Sequence, residues 1–193
     1  HIGSSNIDYR ARQRDFSDQE NDPVFPWLGC NIEDIEAADA ILLVGSNLRK
    51  EVPIIAHRVR KAALSGSQVS IVNAEAYDYY FETLEHIDDL SLVDQLAGIA
   101  VAAAANSHVP EVISVICRGV EPTVEHKNIA ASLHNAENAI VIAGLFACRH
   151  KASSVIRVLV ASIGEMTGAR FGALSEGPNS AGGHLAGVTP HRR

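Results

Sequence analysis

Hydrophobic and polar positions recur along this chain as one pattern used twice. Residues 37–73 and 136–174 each begin with a short apolar run that closes on glycine, Gly45 in the first and Gly144 in the second. Each continues through a polar loop, then a stretch with apolar residues at helical spacing, then a second β-rich run. A short apolar run bounded by glycine predicts a strand buried on both faces, as a parallel sheet covered by helices requires. The predicted fold class is therefore α/β: an open, mostly parallel sheet with helices on both faces, built from two pseudo-symmetric βαβ units. Any ligand crevice of such a sheet lies at the carboxyl ends of its strands.

In the first unit the strand over 41–45 leads to a helix that begins at Pro53, where a missing N–H costs nothing. Ile54, Ile55, Val59, Ala62, Ala63 and Leu64 predict its core side, and Arg58, Arg60 and Lys61 its outer side. Gly66 supplies a left-handed cap, and residues 68–72 return as a strand. In the second unit a strand from Ala139 is followed by a helix over 152–166, stopped by Gly168. Residues 73–89 read as a polar connection in which Tyr77, Tyr79, Tyr80 and Phe81 cover an edge of the core. Further helices are predicted over 92–106, 110–117 and 124–135, with Pro122 separating the last two. Beyond Leu174 the chain reads as a glycine-rich loop. Residues 1–36 form an irregular N-terminal segment pinned by Phe25 and Trp27 beside Pro23 and Pro26, and residues 37–193 form the α/β domain.

Composition narrows the functions. The chain has 193 residues, 47% apolar, enough for a sizeable core. A net charge of −7 argues against nucleic-acid binding, which needs a basic face to neutralise phosphates. The cluster at Arg10, Arg12 and Arg14 and that at Arg58, Arg60 and Lys61 read as solvated faces. Cys30, Cys117 and Cys148 are widely separated, which argues against a disulfide framework, a cysteine-held cluster and a zinc site. The uncharged run over 95–110 is too short to span a bilayer and reads as a buried helix. The one methionine is Met166, so the chain is expected to be a piece of something longer.

Three glycine-containing loops are candidate phosphate sites. VGSNLRKEVP places Gly45 at a strand end with Asn47, Arg49 and Lys50 nearby, but matches neither dinucleotide nor P-loop spacing. GLFACRH after Gly144 holds Cys148 and His150, with no carboxylate nearby to orient them as a nucleophile pair. The loop containing Asn179, Gly182 and Gly183 admits two readings, close approach to a ligand or tight packing. Gly45, Asn47, Arg49, Gly144, Asn179, Gly182 and Gly183 are the crevice candidates. No catalytic residue is assigned. The histidines, including His126, His134 and His150, lack metal-ligand spacing, and no metal site is assigned either.

Several stretches carry a family resemblance: NIDYRARQRDF over 6–16, PWLG over 26–29, VGSNLRKEVPIIAHRVRKA over 44–62, and EGPNSAGGHLAGVTP over 176–190. Across nearly its whole length the chain resembles the molybdopterin oxidoreductases, most closely the large iron–sulfur subunit of bacterial NADH–quinone oxidoreductase, respiratory complex I. The resemblance implies a parent subunit whose iron–sulfur clusters are held by cysteine-rich segments absent here, so this fragment is expected to carry no cofactor. In catalytic relatives a G-x-N-P-like loop and a D-P-R-like turn lie near the guanine nucleotide of the cofactor. Gly45 and Asn47 keep part of that loop, Leu48 replaces its proline, and Asn73-Ala74-Glu75 replaces the turn, which argues against molybdopterin. The implied partners are other peripheral-arm subunits, with no nucleic acid and no membrane insertion, and the implied location is the cytoplasmic side of the bacterial inner membrane, peripheral. The function implied is a structural, non-cluster-bearing domain of that large subunit. The alternatives are a cofactor-binding domain of a catalytic molybdopterin oxidoreductase and a regulatory α/β domain binding a nucleotide or anion through Arg49 and Lys50.

Overall fold

The computed structural model of the protein describes residues 7–10, 15–105 and 108–189. Arg12, Arg14 and the Asn106 end of one predicted helix lie outside them. Five strands form one parallel sheet in the order β3-β2-β1-β4-β5: β1 (Ala40–Val44), β2 (Gln68–Asn73), β3 (Glu85–Asp88), β4 (Ala139–Ala143) and β5 (Arg170–Ala173). Every residue of β1 and β4 is buried, as the double-faced apolar runs require. The two strands lie side by side, Ala40 opposite Ala139 and Val44 opposite Ala143. From this central pair the first unit runs outward to β2 and the second to β5.

Because parallel crossovers are right-handed, outward paths in opposite directions place their helices on opposite faces. Helix α2 (Pro53–Leu64) covers the face bearing Ile41, Leu43, Ile71, Ile140 and Ile142. Helices α3 (Leu92–Ala104), α5 (Val124–Asn135) and α7 (Ser153–Thr167) cover the face bearing Leu42, Val44 and Val141. The short α4 (Glu111–Ser114) adds Ile113 to the same cluster. Glycine ends both crossover helices: Gly66 has φ +102°, and Gly168 has φ +75° in the left-handed region.

Between α3 and α5 the sequence makes a buried polar link. His126 stands at the third position of α5 and joins Thr123 in a reciprocal cap. Its Nδ1 accepts from the Thr123 N–H at 3.2 Å, so Nε2 carries the proton and donates to Gln95 Oε1 at 2.7 Å. Gly98 leaves the space this ring fills, since a Cβ there would overlap it. Burial holds the His126 pKa below the ordinary histidine value.

Several predicted details change. Ile54 and Leu64 are exposed, at 52% and 63%, because α2 presents only a narrow stripe through Ile55, Val59 and Ala62 to the sheet. Arg58 and Lys61 do not simply face water, since both meet Glu36 in the turn over Glu33–Ala37. The predicted polar connection contains β3, an edge strand with alternating half-buried and exposed residues that its charged composition concealed. The polar loops after β1 and β4 each hold a one-turn helix, α1 (Leu48–Glu51) and α6 (Leu145–Arg149). Part of the glycine-rich tail is helix α8 (Ser180–Leu185).

The N-terminal segment folds back onto the second unit. Ala173 N–H donates to Trp27 C=O at 2.8 Å, beside β5. Arg157 on α7 reaches Asp18 at 2.7 Å and Asp22 at 3.2 Å.

Candidate functional site: the crest of the sheet

At the carboxyl edge β1 and β4 leave the sheet in opposite directions, which is the topological switch point where α/β sheets bind ligands. The two glycine turns touch there. Gly45 adopts φ +57°, and a Cβ on it would lie 2.6 Å from the Ala147 nitrogen. Gly144 donates its N–H to Val44 C=O at 2.7 Å, and a Cβ on it would overlap Ser46. Glycine is needed at both positions for contact between the turns.

The side chain at the centre of this crest is Glu51. One carboxylate oxygen accepts from Asn47 N–H at 2.7 Å. The other accepts from Ser46 Oγ–H at 2.9 Å and from Leu145 N–H at 3.0 Å. An internal carboxylate therefore takes the donors of both turns, where the backbone and the starts of α1 and α6 would favour an anion. Behind it the fully buried Ser46 peptide is fixed from both sides. Ser46 N–H donates to Asn73 Oδ1 at 2.7 Å, while Asn73 Nδ2 and the Tyr79 hydroxyl donate to Ser46 C=O at 3.0 and 2.6 Å. Burial raises the Tyr79 pKa well above the ordinary phenol value, so the hydroxyl stays a donor.

The second unit is arranged differently. Beside the carboxyl ends of β4 and β5 lies a cleft of about 350 Å3, lined by Ala143, Cys148, Arg157 and His184 and roofed by Arg10 and Trp27. At the start of α7, Ser154 N–H donates to the Asp15 carboxylate at 3.0 Å. Hydrogen bonds from Ser17 and then from Ser154 lower the Asp15 pKa to about 2. The Cys148 thiol faces Leu174 C=O at 3.9 Å, and His150 Nδ1 accepts from Ala152 N–H at 3.1 Å.

Of the predicted crevice residues, Gly45, Asn47 and Gly144 come together at the crest. Arg49 turns away, donating to Asp78 C=O at 2.8 Å with its guanidinium 3.9 Å over the Tyr80 ring. Asn179 and Gly182 pack on each other, and Gly183 sits against the Tyr9 ring at a distance that admits no Cβ. These glycines serve packing of α8 on the N-terminal segment, which Tyr9 also joins by a 2.9 Å hydrogen bond to His184 Nδ1. Glu51, Ser46 and Asp15 escaped sequence reading, and Asn73 was noted only as a departure from the family's turn.

Fold and crest together define a doubly wound α/β domain whose switch point is closed by its own side chains. The chain belongs to the molybdopterin oxidoreductase family, whose model matches residues 1–185. Among solved structures it is similar to a chain of the formyltransferase/hydrolase complex (FhcABCD) from Methylorubrum extorquens in complex with methylofuran, with 16% identity and a TM-score of 0.51. That match covers 85% of this chain and 43% of the other, so this chain spans less than half the neighbour's length, and at this identity the likeness is one of fold. No curated protein matches the chain.

The family implies a pterin dinucleotide, but the crest does not fit its phosphates. The backbone donors of both glycine turns are taken by Glu51, whose negative charge would oppose a phosphate there. Among the described residues no three His, Cys, Asp or Glu side chains converge as a metal site needs, and no helix is long and apolar enough to cross a membrane.

Proposed function

We propose that this chain is a structural, non-cluster-bearing domain of the large iron–sulfur subunit of an NADH–quinone oxidoreductase. It packs within the peripheral arm, against other subunits of the complex, on the cytoplasmic side of a bacterial inner membrane. It holds neither molybdopterin nor a metal. Membership of the molybdopterin oxidoreductase family supports the parent class. The observation that carries the structural role is the Glu51 carboxylate seated on Asn47 and Leu145, which leaves an oxidoreductase fold without a phosphate cradle. The 350 Å3 cleft beside β4 and β5 favours a second reading, a cofactor-binding domain of a catalytic molybdopterin oxidoreductase.

The test is mass spectrometry of the intact parent assembly for molybdenum, tungsten and released pterin. The structural reading expects none at stoichiometric level. One pterin guanine dinucleotide per chain would overturn it in favour of the second reading. An Arg49→Ala complex is expected to change in assembly more than in NADH oxidation. Loss of oxidation with all subunits and clusters retained would also sink the structural reading.

A further inference from the structure

A second hollow, of about 240 Å3, opens on the outside of the first unit. Its inner wall is apolar: Leu48 is buried, and Ala56 and Phe81 are half-buried. Its rim carries three exposed basic side chains, Arg49, His57 and Arg60. On the same helix Arg58 and Lys61 both end on Glu36, whereas none of the rim groups meets a carboxylate among the described residues. In a chain of net charge −7, two arginines and a histidine around one apolar hollow meet no carboxylate among the described residues.

The rim is also held in place. Tyr80 adopts φ +57°, a conformation costly for a tyrosine, with its N–H on the Asp78 carboxylate at 3.0 Å and its side chain 61% exposed. Arg49 is fixed over that ring and on the Asp78 carbonyl. An ordered tyrosine–arginine pair beside an apolar hollow is the composition at which protein interfaces concentrate their binding energy. The size of the hollow selects the kind of ligand. Small-molecule sites run from about 300 Å3 upward, so this one suits a single inserted side chain better than a nucleotide.

We propose that the hollow between α1, α2 and the Tyr79–Phe81 loop docks an acidic segment of a protein partner, which inserts one large apolar side chain and sets its carboxylates against Arg49, His57 and Arg60. The site is separate from the crest, and either proposal can fail while the other stands. Charge complementarity carries it: acids on the partner gain both attraction and orientation from rim arginines that form no ion pair among the described residues, the nearby Asp78 carboxylate being engaged by the Tyr80 N–H.

A random-sequence peptide display selection on the folded chain tests this, with Arg60→Glu as the control. Arg60 is exposed, so the variant is expected to keep the wild-type melting temperature. Enrichment of sequences with Asp or Glu flanking one large apolar residue is expected, with at least a tenfold loss of affinity for the synthesised peptide on Arg60→Glu. Weaker binding of that peptide as salt rises is expected as well. No enrichment, enrichment of sequences without acids, or equal affinity for the variant would each overturn the proposal. Displacement of the peptide by micromolar guanosine monophosphate would reassign the hollow to a nucleotide. Dimers of the chain that Arg60→Glu dissolves would reassign it to a second copy.

Discussion

The turns after β1 and β4 occupy equivalent places in two βαβ units, and Glu51 takes a donor from each, yet their surroundings differ. The first is sealed by Glu51, Asn73 and Tyr79, all within or just after its own unit. The second borders a 350 Å3 cleft roofed by a segment more than a hundred residues earlier in the chain. The strands and crossover helices repeat because burial periodicity repeats. The crest does not repeat, because its chemistry comes from single side chains that the periodicity does not constrain. Pseudo-symmetry of backbone is thus poor evidence for two equivalent sites.

The largest disruption of this arrangement is expected from Val44→Asp. Val44 is fully buried, paired with both β2 and β4, so an unpaired carboxylate there costs several kcal/mol, about the whole stability of a domain. Circular dichroism should show loss of the cooperative melt, and both units should fail together because they share this strand pair. Gly144→Ala comes next, at about 1–3 kcal/mol by chemical denaturation, since its Cβ would overlap Ser46 where the turns touch. Asn73→Ala leaves the buried Ser46 N–H without its acceptor and is expected to cost about 1–3 kcal/mol. Wild-type stability in that variant would break the claim that the first turn is locked by side chains.

Acid should release the N-terminal segment from α7. The Asp15 pKa is lowered from 3.8 to about 2 on folding, so its contribution is complete above 3.8 and is lost as pH falls toward 2. Trp27, the one tryptophan, lies in the same N-terminal segment and reports its release by fluorescence. Asp15→Asn should remove that acid-dependent step and leave the crest unchanged. The smallest effect is expected at His126. Its pKa is depressed on folding, so stability is complete above the ordinary value of 6.5 and declines as pH falls below it. His126→Gln should flatten the stability profile in that window.

Much of the architecture was legible because it rests on local pattern. Five apolar residues before Gly45 and five before Gly144 suit strands of a sheet covered on both faces, and Pro53, Gly66 and Gly168 mark helix ends by the backbone conformations they allow. The edge strand β3 was hidden because half its residues face water and only Ile87 is apolar. Helix α8 was hidden because two adjacent glycines argue against a helix, and only packing against Tyr9 and Asn179 explains why small residues stand there.

At the crest, residue type alone selected Gly45, Asn47 and Gly144, and the fold brings these three together. It equally selected Arg49, which leaves for Tyr80, and passed over Glu51. The amino-acid sequence by itself determined the parallel α/β sheet and its two repeated units, because both follow from short-range spacing and burial. Only the tertiary structure decided that the crest is closed, since the bond from Leu145 N–H to Glu51 spans 94 residues. That distance collapses only once β1 and β4 pair in one register, and no periodicity along the chain records which side chain then fills the space between their turns.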